Sequence, residues 1–139
     1  MNGSHGIAQP VRRREDVRLL TGQGRFADDV SQQGQLYAAF VRSPVAHGII
    51  RNVNLAAASA AAGVVDVFTG DDLAAAGIGH IVARWPKYQS AQIQSARPLH
   101  TPRPGLAQGK VRHVGEAVVM VVAETLGQAR GAADLVTLE

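Results

Sequence analysis

The stretch that most constrains this chain is residues 36–45, Leu-Tyr-Ala-Ala-Phe-Val-Arg-Ser-Pro-Val. On an extended backbone Leu36, Ala38 and Phe40 point one way and Tyr37, Ala39 and Val41 the other. Both sets are largely apolar, which predicts a strand covered on two faces, with the other elements layered around it. Gly34 and the polar run Ser31-Gln32-Gln33 set a turn before it. Pro44, which has no backbone donor, ends it and biases Ser43 toward the extended region.

The chain has 139 residues, 46% of them hydrophobic and only 4% aromatic, so one domain with a core of Val, Ile, Leu and Ala is expected. It has no cysteine, which excludes a disulfide framework, a thiolate zinc site and iron–sulfur ligation within it. The net charge of +3 owes much to Arg12-Arg13-Arg14. The other basic residues are scattered and not interleaved with aromatics, so no nucleic-acid partner is expected. Glu15-Asp16, not an apolar stretch, follows the arginine triplet, which therefore does not open an export signal. The longest apolar run, residues 117–123, is too short to span a bilayer. A soluble, cytoplasmic protein is expected.

Residues 1–10 lack periodicity and carry Gly, Ser and Pro, the composition of a loose arm. Residues 11–139 are expected to form a single domain. Gly22-Gln23-Gly24 is not a dinucleotide loop, because no strand precedes it and a third glycine is missing. Its glycines suit a turn, with Asp28 and Asp29 bonding nearby amides. Residues 48–55 predict a second strand with Ile49, Val53 and Leu55 on one side and Asn52 and Asn54 on the other. Asn54 then caps a short helix over 56–62 that Gly63 ends. Residues 64–68 predict a third strand, and Thr69-Gly70-Asp71-Asp72 has capping-box spacing for a helical turn over 71–76, stopped by Gly77.

Residues 79–108 differ in kind. Pro86, Pro98, Pro102 and Pro104 punctuate them, with Trp85, Tyr88 and a Gln/Ser-rich stretch between. A structureless connection of about thirty residues is usually functional or a docking surface. Beyond it, residues 110–114 predict a short strand and 116–123 a buried one. Thr125-Leu126-Gly127-Gln128 opens a last helix whose apolar stripe is Leu126, Ala129, Ala133 and Val136. Gly127 and Gly131 weaken that helix by about 1 kcal/mol each relative to Ala, which implies tight packing or marginal stability.

The chain offers little chemistry of its own. His47, His80, His100 and His113 have no helical partner at i+4 and no acidic pair at metal spacing, and His5 lies in the arm; no metal site is expected. Ser43 and Ser59 lack a nucleophile elbow. Asp28-Asp29 and Asp71-Asp72 are accounted for by turns and caps. Glu116, at the head of an apolar strand, is the most notable acid, with Arg112 or Arg25 as its expected partner. No catalytic, cofactor-binding or metal-binding residue is assigned.

Several pieces taken together carry a resemblance. They are Arg14-Glu15-Asp16, Leu20-Thr21-Gly22-Gln23-Gly24-Arg25-Phe26-Ala27-Asp28-Asp29, and Ala39-Phe40-Val41-Arg42-Ser43-Pro44 with Ala46-His47. Gly63-Val64, Phe68-Thr69-Gly70-Asp71-Asp72-Leu73, Val111-Arg112-His113-Val114-Gly115-Glu116-Ala117-Val118 and Val122-Ala123-Glu124-Thr125 with Ala129 follow in order. The combination resembles the start of a molybdenum hydroxylase large subunit, the family of xanthine dehydrogenase, aldehyde oxidase and carbon monoxide dehydrogenase.

The resemblance implies an α+β fold of the α/β-hammerhead type, a mixed sheet with about three short helices. It also implies a role in an enzyme that oxidises an aldehyde, an N-heterocycle or carbon monoxide. In such an enzyme this region would be structural and would dock against other parts, possessing no catalytic activity alone. Molybdopterin would be held by the remainder of the large subunit, with iron–sulfur clusters and FAD on other domains or subunits, and no cofactor on this chain. Residues 79–108 follow the family pattern only at Arg97-Pro98-Leu99 and Leu106-Ala107. Trp85, Pro86 and Tyr88 are then substrate-funnel candidates, or else two anchors of an otherwise loose loop. The competing reading is a free-standing, non-enzymatic binding or scaffold module.

Overall fold

The computed structural model describes residues 13–81 and 103–139. They fall into two units, Met1–Gln35 and Leu36–Glu139. In the first, helix α1 (Asp16–Leu20) is followed by Thr21, whose hydroxyl donates to the Val17 carbonyl at 2.7 Å. A short 3₁₀ turn, Ala27–Asp29, is held by the Asp29 carboxylate, which accepts the Phe26 N–H at 2.9 Å. Asp29 thus fills the turn role expected of the Asp28-Asp29 pair.

The second unit is built around a strand near its end. Its elements are β1 (Tyr37–Arg42), β2 (Gly48–Ile49), β3 (Val53–Asn54), α2 (Ala56–Ser59), β4 (Val64–Thr69) and α3 (Gly70–Ala75). After residues 82–102 come β5 (Lys110–Val111), β6 (Ala117–Ala123), α4 (Leu126–Ala133) and β7 (Thr137–Leu138). The main sheet has the order β1-β6-β4, and two small ladders pair β2 with β5 and β3 with β7. Every pairing among the described residues is antiparallel, so the sheet is not mixed as expected, and these residues hold four short α-helices where about three were expected.

The apolar run of β6 makes it the central strand. Val119, Val121 and Ala123 on one face are fully buried. Their cross-strand partners are Val41, Ala39 and Tyr37 on β1 and Thr69, Val67 and Val64 on β4. Helix α4 packs on this face through Ala129 and Ala132, and α2 through Ala58, all three buried. Small side chains let these short helices lie close to the sheet, which is how a chain poor in aromatics closes its core. The buried stripe of α4 is therefore Ala129 and Ala132, with Ala133 and Val136 half-buried and Leu126 exposed. Gly127 and Gly131 have nothing within 4 Å of where a β-carbon would sit, so tight packing is not their reason.

Strand β1 corrects the expectation with which the sequence reading began. It is an edge strand with one covered face: Tyr37, Ala39 and Val41 are half-buried, whereas Ala38, Phe40 and Arg42 are exposed. Its outward residues line up with Val122 and Met120 on β6, and through these with Asp66 and Phe68 on β4. The expected strand over 48–55 is broken into β2 and β3, leaving Ile49 exposed, and the strand over 110–114 shortens to β5. Only two residues of each find a ladder partner.

The α3 signal acts as its spacing predicts. Asp72 accepts the Thr69 N–H at 2.7 Å while the Thr69 hydroxyl receives the Asp72 N–H at 3.4 Å, a reciprocal cap on α3. The same carboxylate accepts the Thr69 hydroxyl, and these bonds hold Asp72 below its ordinary pKa of 3.8. Asn54 accepts the Ala56 N–H at 3.1 Å, but the N-cap position of α2 is Leu55. The helix ends at Ser59 with Ala60 as its C-cap, so Gly63, with φ +78°, turns the chain only beyond the helix end. Among the described residues no helix is long and apolar enough to cross a membrane.

Candidate functional site

Where β1 ends, Pro44 removes a donor and the chain must turn. Ser43, only 4% exposed, satisfies the turn itself: its hydroxyl donates to the Val45 carbonyl at 2.8 Å and accepts the Val45 N–H at 3.2 Å. Its backbone is locked to the reversal before β6. The Ser43 N–H donates to the Glu116 carbonyl and the Gly115 N–H to the Ser43 carbonyl, both at 2.8 Å. Gly115 has φ +83°, the left-handed backbone that the reversal over 113–116 uses. Ser43 is thus a structural residue, as its lack of an elbow implies.

Glu116 sits inside this reversal with its side chain 12% exposed. Its carboxylate accepts the backbone N–H of Arg112, and the His113 Nδ1 lies 3.7 Å away. The expected partner residue Arg112 is correct, but it acts through its amide and not its guanidinium. That guanidinium donates instead to the Lys110 carbonyl at 3.3 Å. The Arg42 guanidinium donates to the Gly115 carbonyl at 2.9 Å and lies 5.7 Å from the centre of the Phe40 ring, a cation–π arrangement.

A third piece completes the site. The Ile81 N–H donates to the Arg103 carbonyl at 2.8 Å, so the chain on either side of residues 82–102 meets here. Residues 103–107 are then fixed by Leu106, which is buried, and by the Ala107 N–H donating to the Ala117 carbonyl at 2.8 Å. The result is a groove of about 590 Å³ lined by Arg42, Arg103, Arg112, His113, Glu116 and Ile81, among others. Two other cavities are less charged. One of about 320 Å³ lies between Arg51 and the start of α3, and an apolar one of about 160 Å³ lies between Pro44 and Leu138.

The remaining sequence candidates do not converge. No group of three or more His, Asp or Glu positioned to hold a metal occurs among the described residues. His47 and His80 are exposed, and Asp71-Asp72 belong to the α3 cap. Trp85, Pro86, Tyr88 and His100 lie outside the described residues. What the sequence reading missed is the grouping of Arg42, Arg103 and Arg112, which no periodicity links. The one available signal was the Arg-Ser-Pro ending of β1, which turns Arg42 toward the reversal before β6.

Residues 21–139 match the family described as "Aldehyde oxidase and xanthine dehydrogenase, a/b hammerhead domain". The chain belongs to this family. The hammerhead is 43% identical over 135 residues to the nicotine 6-hydroxylase large subunit of Paenarthrobacter nicotinovorans, covering 96% of this chain and 15% of that protein. It is 33% identical over 127 residues to the putative xanthine dehydrogenase molybdenum-binding subunit of Escherichia coli, covering 91% and 16%. Among solved structures, quinoline 2-oxidoreductase from Pseudomonas putida 86 superimposes with a TM-score of 0.77 at 38% identity, over 93% of this chain and 15% of that one. The hammerhead sequence thus spans about one-sixth of the length of these curated relatives. The α/β-hammerhead expectation is met.

Proposed function

We propose that this hammerhead domain is a structural and docking part of a molybdopterin-dependent hydroxylase or dehydrogenase acting on an aldehyde, an N-heterocycle or carbon monoxide. The observation that carries the reading is the outward face of the main sheet. Ala38 is exposed and Phe40 is 44% exposed, beside the half-buried Met120 and Val122, in a chain that spans 15% of its relative's length. Apolar side chains in a contiguous row on a sheet face mark a surface made to be covered. The occupant we assign is the remainder of the large subunit.

Cofactor chemistry belongs elsewhere in this reading. Among the described residues every buried side-chain nitrogen and oxygen has a hydrogen-bond partner, and this reading assigns no cofactor to the chain. Molybdopterin is assigned to the rest of the large subunit, and iron–sulfur clusters and FAD to other domains or subunits, in the cytoplasm. Residues 11–139 act as the docked domain and 1–10 as an arm. Trp85, Pro86 and Tyr88 enter as substrate-funnel candidates on the strength of the sequence.

The test is purification of the enzyme from its native host through a tag on this sequence, with molybdenum analysis and visible absorbance. Molybdenum and a flavin–cluster spectrum are expected with the tagged protein. A Phe40→Asp substitution is expected to lower the recovered molybdenum at least tenfold. Recovery of the tagged hammerhead without any associated oxidoreductase component supports the scaffold reading instead.

A further inference from the structure

The groove between the end of β1 and the reversal before β6 holds three guanidiniums and one carboxylate. That carboxylate, Glu116, is engaged by the Arg112 amide, with His113 nearby. All 11 Asp and Glu of the chain are among the described residues, since residues 1–12 and 82–102 contain none. Among the described residues the only ion contact within 4.0 Å is His113–Glu116. None of Arg42, Arg103 and Arg112 therefore forms an ion pair with a carboxylate of its own chain, and the single carboxylate of the groove faces three guanidiniums.

Their geometry is that of a prepared surface. Arg42 is held from two sides, by the Gly115 carbonyl and by the Phe40 ring. Arg112 is held by the Lys110 carbonyl, and Arg103 sits on the segment that Leu106 anchors. Each bond uses one of five guanidinium N–H donors, leaving forks that match a carboxylate. Prior fixation lowers the entropy lost on binding. Gathering three like charges in one groove costs energy in the unbound state, and a polyanionic occupant reverses that cost.

We propose that this groove receives a polypeptide segment carrying two or more carboxylates, from protein outside these 139 residues. This rests on the reading of the chain as a docked domain. A peptide fits better than a small anion because the groove has a volume of about 590 Å³, and Ile81 and Pro104 give it apolar wall beside the arginines. An Asp/Glu-rich segment uses both parts.

The test uses the assembled enzyme, wild type and with R42K or R112K, treated with a carbodiimide that joins an amine to a carboxylate in contact. New crosslinks from position 42 or 112 to an Asp or Glu outside residues 1–139 are expected. The triple variant R42Q/R103Q/R112Q is expected to weaken assembly at least tenfold at physiological salt, with a flatter salt dependence than wild type. Crosslinks confined to residues 1–139, or none, together with unchanged assembly of the triple variant, overturn the proposal. So does stoichiometric binding of inorganic phosphate by the assembled wild type that the triple variant loses. A wild-type chain recovered with no enzyme around it overturns the docked-domain reading itself, a result distinct from assembly that ignores the arginines.

Discussion

The β-carbon that Gly70 lacks would fall on the carbonyl oxygen of Ala107. Gly70 is the first residue of α3 and is buried, and its own carbonyl accepts the Gln108 side-chain amide at 2.8 Å. The two backbones meet with nothing between them, and neither can step aside without dragging β4 or the segment leading to β5. Gly70→Ala is expected to lower stability by about 2 kcal/mol, the scale of overpacking in a closed site. Gly63→Ala meets only the end of the flexible Gln128 side chain and the strain of a positive φ, so about 1 kcal/mol is expected there. Urea denaturation of both variants checks the order.

Gly127 and Gly131 lie on the open side of α4, where an added methyl meets nothing. Each replacement by Ala is expected to stabilise the chain by about 0.5–1 kcal/mol, because alanine loses less backbone freedom on forming the helix. The denaturation midpoint should rise for each variant and rise further for the pair. A fall would mean that something covers this side of the helix.

The Thr69–Asp72 cap gives a pH signature. The bonds from the Thr69 hydroxyl and amide favour the ionised carboxylate, so Asp72 titrates lower in the folded chain than in the unfolded one. Its contribution is complete above the ordinary value of 3.8 and is lost as pH falls from there through the lowered folded value. Asp72→Asn should remove that part of the acid sensitivity. Thr69→Ala should cost about 1 kcal/mol at neutral pH. A carboxyl NMR titration of Asp72 checks the direction of the shift.

Glu116 links the two sides of the reversal through the Arg112 amide. Glu116→Ala is expected to destabilise by about 1.5–3 kcal/mol, the range for a bond to a charged group. The effect should also be local. The Arg112 amide should exchange with deuterium far faster in the variant, while the amides of β6 beyond Val119 keep their protection.

What the sequence made legible follows how local each cause is. The α3 cap needs only Thr69 and Asp72, three residues apart, and the burial of β6 needs only its unbroken apolar run. The fate of β1 was misread because two apolar faces say that both are to be covered, not that this chain covers them. Ala38 and Phe40 remain in the open among the described residues. Ile49 was misplaced because alternation over 48–55 hides the break between two short ladders. The arginine groove was out of reach, since Arg42, Arg103 and Arg112 meet only when β1, β6 and the segment before β5 are assembled. Glu116 was half legible: a partner near Arg112 was foreseeable, but a bond to a backbone amide leaves no mark in side-chain identity.

The strand order β1-β6-β4 also governs when the fold can exist. Tyr37 on the first strand and Val64 on the fourth both face Ala123, so neither has a neighbour until the sixth strand is made. The Glu139 carbonyl then accepts the Arg51 N–H at 2.7 Å, tying the last residue to the region before β3. On a ribosome, about the first five-sixths of this sequence is made before β6, with its sheet edges unmatched, a long wait by the standards of local folds. Through that interval the unmatched edges of β1 and β4 are open to pairing with other chains. Synthesis rate ahead of residue 117 therefore affects yield, and synonymous slowing just before it should increase aggregation.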